Sequence, residues 1–141
     1  KEIFDNVIPA SNSQMALNLY SLGTLIDHSQ YIEISKNMFA GVQRLLEKNA
    51  QHLSNWACLA VYMSYPTAEI VCASDQPIKL RQQMDPFFLP NAVWLGTNGT
   101  SSLSLVENKF IQGTDRIYVC YNKTCKIPVT TGKEAFLLIE K

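Results

Sequence analysis

An excess of charge of either sign is missing from this sequence: 12 Lys plus Arg balance 12 Asp plus Glu over 141 residues. With no net charge and no basic block, the electrostatic footprint of a nucleic-acid binder is absent. Long apolar runs are missing too. None approaches the roughly 18 residues of a membrane span, and no signal peptide is present. The chain opens "KEIFDN" without Met and reads as an internal cut, so a targeting segment could have been removed. Glycine is scarce, and "ASDQP" after the first apolar strand holds none. The Gly-x-Gly-x-x-Gly cradle of a dinucleotide site is therefore lacking. Histidine is scarcer still. His28 and His52 lie in separate connections, without the i, i+4 spacing of a helical metal site, and read as surface or cap residues. No cofactor and no metal is expected. Four cysteines are too few for a disulfide scaffold at this length. Cys58 and Cys72 fall inside apolar patterns and read as small buried hydrophobes. This usage suits a reducing compartment, and the expected location is cytoplasmic.

What is present is 47% apolar residues in two different textures. In "PASNSQMALNLYSLGTLID", Ser11 and Gln14 have capping-box spacing, with Asn12 as a competing N-cap. Met15, Leu19, Leu22 and Ile26 then recur at helical spacing, with Leu25 widening the stripe. A second helix is expected from about Tyr31 to Asn49, on Tyr31, Ile34, Met38, Val42 and Leu45. Its short connection to the first makes the two antiparallel neighbours. The third element, "SNWACLAVYMSY", is apolar nearly all round and calls for burial on several sides. Pro66 ends it.

Beyond Pro66 the pattern shortens. "AEIVCAS", "NAVWLG" and "RIYVCY" read as strands, "QPIKLRQQMDPFF" and "GKEAFLLIEK" as helices. Strand–helix–strand order implies parallel pairing through a right-handed crossover. The expected fold class is mixed α/β. Residues 1–65 form a three-helix segment, and residues 66–141 a small three-layer α/β unit with a mostly parallel sheet of about three strands. No internal repeat interrupts this order.

Few residues carry chemistry. Asp75 lies beyond a strand's carboxyl end, where open α/β sheets place functional groups, but it reads first as part of the N-cap region of the next helix. "NGT" at Asn98 and "NKT" at Asn122 match glycosylation sequons. In a chain that otherwise looks cytosolic they read as chance. The sharper feature is "YVCYNKTCKIPV". Its Cys-x4-Cys spacing is neither the Cys-x2-Cys of thioredoxin-like redox sites nor half of a zinc knuckle with a second pair to complete it. Strand alternation puts Arg116, Tyr118 and Cys120 on one face, with Cys125 following a turn on Asn122 and Lys123. Two neighbouring non-bonded thiols are the expected state, ahead of a reversible disulfide and, last, a metal site. Lys123 and Lys126 would lower a thiol pKa if their ammonium groups come close.

"DNVIPASNSQMALNLYSLGTLID", "FFLPNAVWLG" and "YVCYNKTCKIPVT" together resemble the thioredoxin-domain-containing proteins related to spermatogenesis-associated protein 20. In the first segment, Pro9, Asn12, Ser13, Ala16, Leu17, Asn18 and Leu19 match the family's pattern, while Ala10 and Ser11 depart from it. Near the end, Tyr118, Val119, Cys120, Cys125, Pro128 and Val129 match. The resemblance covers nearly the whole chain. It implies the C-terminal part of a three-part protein: a thioredoxin-like domain, a six-hairpin α/α barrel and a small α/β unit. Residues 1–65 would then be the last helices of the barrel. The expected partner is the remainder of that parent, with self-association of the isolated chain and neither nucleic acid nor membrane.

Three functions follow as expectations. The first is a non-catalytic module that completes and caps the parent's barrel. The second is a redox-linked enzyme part in which Cys120 and Cys125 exchange electrons with the thioredoxin-like domain. The third is sugar binding or processing in the parent barrel, with Asn12 and Ser13 of the Pro9–Ser13 loop lining its cavity. No catalytic residue is assigned, and no paired carboxylates of glycosidase type stand near that loop.

Overall fold

Tyr65 takes the extended conformation that a following proline imposes, and α-helix stops there. In the computed structural model, which describes residues 2–139, the chain divides at this point into two compact units, Lys1–Tyr65 and Pro66–Lys141.

The first unit holds α1 (Ser11–Ile26), α2 (Ser29–Ala40), α3 (Gln43–Asn49), a 3-10 turn (Ala50–His52) and α4 (Ser54–Ser64). The single second helix expected over 31–49 is broken. Gly41 weakens helix propagation, and Val42 leaves the helical path to enter the core at 5% exposure. The Ser11–Gln14 capping box does not form: Ala10 is the N-cap, and Gln14 Nε2 donates to Asn18 instead.

Helix α1 turns its small residues inward. Ser13, Ala16 and Gly23 are buried, and the Ser35 hydroxyl of α2 donates to the Ala16 carbonyl at 2.6 Å. A Cβ on Gly23 would lie 2.7 Å from Ile32 Cγ1 and 3.0 Å from the His28 carbonyl, so close packing of α1 on α2 requires glycine there. Ala16, Val42, Leu53, Trp56 and Leu59 form the core of the unit, and Trp56 Nε1 donates to the Ile3 carbonyl. Of the apolar stripe read on α1, Leu19 and Leu25 are half-buried, and the other three residues lie on the outer side. Met15, Leu22 and Ile26 are 54%, 44% and 40% exposed. In α4, too, burial is one-sided: Trp56 and Leu59 are covered, whereas Val61 and Cys58 are exposed, correcting the buried reading of that thiol.

The second unit is a four-stranded sheet in the order β2-β1-β3-β4, made of β1 (Ala68–Ala73), β2 (Ala92–Thr97), β3 (Arg116–Tyr121) and β4 (Thr124–Cys125). Strands β1 and β2 are parallel, joined through α5 (Pro77–Gln82). The other two pairings are antiparallel, so the sheet is mixed and not mostly parallel. The reason lies in the connection. Strand β2 ends at the carboxyl end of β1, and the segment 98–115 has no crossover helix to carry the chain back, so β3 starts at that same end and runs against β1.

One face of the sheet, with Ala68, Ile70, Cys72, Ile117 and Val119, packs on Leu80 and Met84 and on Ala135 of α6 (Gly132–Leu138). The opposite face is covered by Leu105 and Val106 of the turn-rich 98–115 segment, which meet Val71, Leu95 and Tyr118. A Thr131–Glu134 capping box starts α6. The last two residues of the closing helix read from sequence, Glu140 and Lys141, lie outside the described residues.

Candidate functional site

Strand β3 turns into β4 through Asn122 and Lys123, both left-handed at φ 47° and 64°. Two consecutive residues of that kind make the tight hairpin turn whose twist matches its strands, and Asn is among the residues that tolerate it best. The turn brings Tyr121 opposite Thr124 and Cys120 opposite Cys125. The two cysteines are joined as a disulfide, with Cα atoms 3.9 Å apart. Of the three readings of this pair, the structure holds the bonded one. Cys120 is fully buried and Cys125 half-buried, so Cys125 is the more exposed end of the bond.

Antiparallel pairing also places Glu69 of β1 directly opposite Cys120. Opposed residues project from the same face of a sheet, with Cβ atoms about 4.5–5.5 Å apart. Glu69, Cys120 and Cys125 therefore form one row across three strands. Glu69 is 4% exposed, and its Oε2 accepts the Lys123 backbone N–H at 2.9 Å. Its carboxylate thus reaches the hairpin turn. Burial pushes the Glu69 carboxyl above the ordinary glutamate value, against the Lys123 N–H and the charge of Lys109. Sequence reasoning missed Glu69. Its only signal was a carboxylate inside an otherwise apolar strand, "AEIVCA".

Lys126 is engaged elsewhere: its Nζ donates to the Leu138 carbonyl at 2.9 Å and lies 5.6 Å from the Tyr121 ring centroid. Cys72 shares no row with the pair. It lies on the helix-covered face, and burial pushes its thiol up to about 11, which leaves it inert near neutral pH.

The Pro9–Ser13 loop is built around Asp5. Asp5 Oδ1 accepts the Ala10 N–H at 2.8 Å and the Ser13 hydroxyl at 2.7 Å, while Oδ2 accepts the Asn55 N–H at 2.8 Å. One carboxylate so serves the starts of α1 and α4. Burial raises its pKa, but the N–H groups of Ala10, Asn55 and Trp56 and the Ser13 hydroxyl outweigh that and hold it below the ordinary aspartate value. Ser13 is fully buried, and its oxygen also accepts from Asn55 Nδ2. Asn12 donates to the Glu2 carbonyl. Both candidate cavity residues thus have partners within their own unit.

Asp75 is not a helix cap. It accepts the Gly113 N–H, while the Ser74 hydroxyl receives the Gln76 N–H and donates to Asp115. His28 stacks on Tyr31 and His52 is exposed. Both sequon residues, Asn98 and Asn122, are exposed in turns. A hollow of about 290 Å³ is lined by Gly99, Ser101, Glu107 and Phe110, and another of about 180 Å³ by Arg81, Met84, Phe87 and Trp94. Neither includes the cysteine row or the Asp5 cluster. Among the described residues, no three His, Cys, Asp or Glu side chains converge as a metal ligand set, and no helix is long and apolar enough to cross a membrane.

No family model, no curated protein and no solved structure matches this chain. The chemistry therefore rests on the geometry. One row of side chains joins a disulfide with one half-buried end to a buried acid.

Proposed function

We propose that the chain is a non-catalytic C-terminal module, which completes and caps the α/α barrel of a larger protein of the thioredoxin-domain-containing family that it resembles. The observation that supports this reading is the inverted packing of α1. Its small residues face its own unit, and Met15, Leu22 and Ile26 stand in solvent at helical spacing. Such a stripe is the edge of an interface, and further barrel helices of the parent are its occupant in this reading.

Binding of the chain to the parent polypeptide lacking it tests the proposal, by titration calorimetry. Association at micromolar affinity or tighter is expected, weakened at least about tenfold by Leu22→Glu, which places a charge in the apolar contact. Two folded pieces that do not associate, or a Leu22→Glu chain that binds as well as the original, would sink the reading. The bonded state of Cys120 and Cys125 favours a second reading, redox linkage to a dithiol partner. The sugar-binding reading has no such support, because the Ser13 hydroxyl is already committed to Asp5.

A further inference from the structure

The disulfide of the β3–β4 hairpin has unequal ends. Cys125 is half-buried, at the short edge strand of the sheet, whereas Cys120 is fully buried. Exchange proceeds by attack of a thiolate on one sulfur and departure of the other as a thiolate. A thiolate leaving into a buried site needs a proton. Opposite Cys120 on the same face sits a buried carboxyl, Glu69.

We propose that Cys120–Cys125 is a thiol–disulfide exchange site for a dithiol protein partner, in which Cys125 is the attacked sulfur and Glu69 carries the proton to and from Cys120. The partner's thiolate bonds to Cys125 Sγ. The Cys120–Cys125 bond breaks, its electron pair goes to Cys120 Sγ, and the Glu69 carboxyl protonates that sulfur. The partner's second thiolate then attacks the partner's own sulfur in the mixed disulfide. Cys125 leaves as a thiolate and takes a proton from water, and Glu69 regains its own proton from solvent. Two electrons have passed from the partner, now a disulfide, to the hairpin, now a dithiol. In the reverse direction the Glu69 carboxylate accepts the Cys120 proton. Burial of the Glu69 carboxyl favours its protonated form and supports this role.

The other titratable and charged groups around the row are placed as follows. Lys109 comes from the covering segment, with its Nζ 5.3 Å from the Tyr118 ring centroid, and Tyr118 lies on the same face two residues before Cys120. Lys123 is at the turn and presents its backbone N–H to Glu69. Lys126 engages Tyr121 and the end of α6. The charge of Lys109 and the backbone N–H of Lys123 act on Glu69 against its burial.

Two measurements test the proposal, both on a Cys58→Ser background to remove the exposed free thiol. The first uses glutathione disulfide as the probe on single-cysteine hairpins. The Cys120→Ser chain is expected to form a mixed disulfide on Cys125 at least ten times faster than the Cys125→Ser chain does on Cys120. Equal rates would overturn the assignment of ends. The second follows reduction of the intact hairpin by dithiothreitol and by a phosphine between pH 4.5 and 8, counting released thiols by alkylation and mass. Glu69→Gln keeps an acceptor for the Lys123 N–H, and an unchanged melting temperature shows that the hairpin persists. Its reduction is expected to be about tenfold slower on the acid side, with the pH inflection lost. A Glu69→Gln profile that superimposes on the wild type would overturn the proton role. A native hairpin that neither reagent reduces would overturn the exchange site itself.

Discussion

Asp5 and Glu69 are both buried carboxylates, and their surroundings drive them in opposite directions. Asp5 meets backbone donors at two helix starts, and its pKa falls below the ordinary value of 3.8. A depressed carboxyl stabilises the fold fully above its unfolded pKa, and that contribution is lost as pH falls through the folded one. Asp5→Asn is therefore expected to unfold the helical unit at higher pH than the chain with Asp5 in an acid titration followed by Trp56 fluorescence, both on a Trp94→Phe background. Loss of a shared cap predicts a cost of about 1–2 kcal/mol at pH 7 for Asp5→Ala. An Asp5→Ala chain as stable as wild type at pH 7 would show that other groups serve those N–H donors. Glu69 has the reverse sign. Burial raises its folded pKa above 4.5, so the folded state holds the proton more tightly than the unfolded one. Stability then declines as pH rises from 4.5 through the folded pKa. In Glu69→Gln that decline should vanish from denaturant midpoints measured over the same range. If wild type shows no decline either, Glu69 is not a desolvated acid.

Two glycines test how the elements are joined. A Cβ on Gly132 would sit 2.7 Å from the Gln83 carbonyl oxygen and 2.8 Å from its carbonyl carbon, both backbone atoms that cannot rotate away. A Cβ on Gly23 would meet a side-chain atom, Ile32 Cγ1, at 2.7 Å, and its nearest backbone neighbour, the His28 carbonyl oxygen, only at 3.0 Å. Gly132→Ala is therefore expected to cost more than Gly23→Ala, about 2–3 against 1–2 kcal/mol in urea unfolding; the reverse order would mean that α6 shifts freely on Gln83. The same elements mark how far the sequence could be read. Strand, helix and strand around Pro77 were legible from period and punctuation, and so was their parallel pairing. The direction of β3 was not. It depends on where the 98–115 segment ends, and that segment carries no periodic pattern. Nor was the packing face of α1. Periodicity marks Met15, Leu22 and Ile26 as residues that avoid water, but not which partner covers them. The packing on α2 went to Ala16 and Gly23, whose small size admits close approach. In the cysteine site, alternation gave the face of Cys120, while Glu69 required the register between β1 and β3.

At the scale of the whole molecule, the exposed α1 stripe sets the association state of the isolated chain. Met15, Leu22 and Ile26 on α1, with Val61 of α4, are all at least 40% exposed. An apolar patch of a few hundred Å² left in water forgoes several kcal/mol, at about 25 cal/mol per Å². Entropy of association opposes closure of the patch, so the expected dimer is of micromolar strength and not obligate. A helix stripe that packs on its own copy generates a closed two-fold dimer, because each copy supplies the same surface. The second unit exposes large apolar residues as well, Ile127 at 85% and Ile78 at 75%. Phe88 at 87% and Leu137 at 75% join them, spread over α6 and the loop before β2. Sedimentation equilibrium at concentrations well above micromolar should therefore approach twice the 15.9 kDa chain mass. Leu22→Lys should return it to monomer, and Ile127→Lys should leave the dimer intact. A clean monomer for the unmodified chain, or a dimer broken by Ile127→Lys and indifferent to Leu22→Lys, would move the interface away from α1 and remove the main support for a docking helical unit.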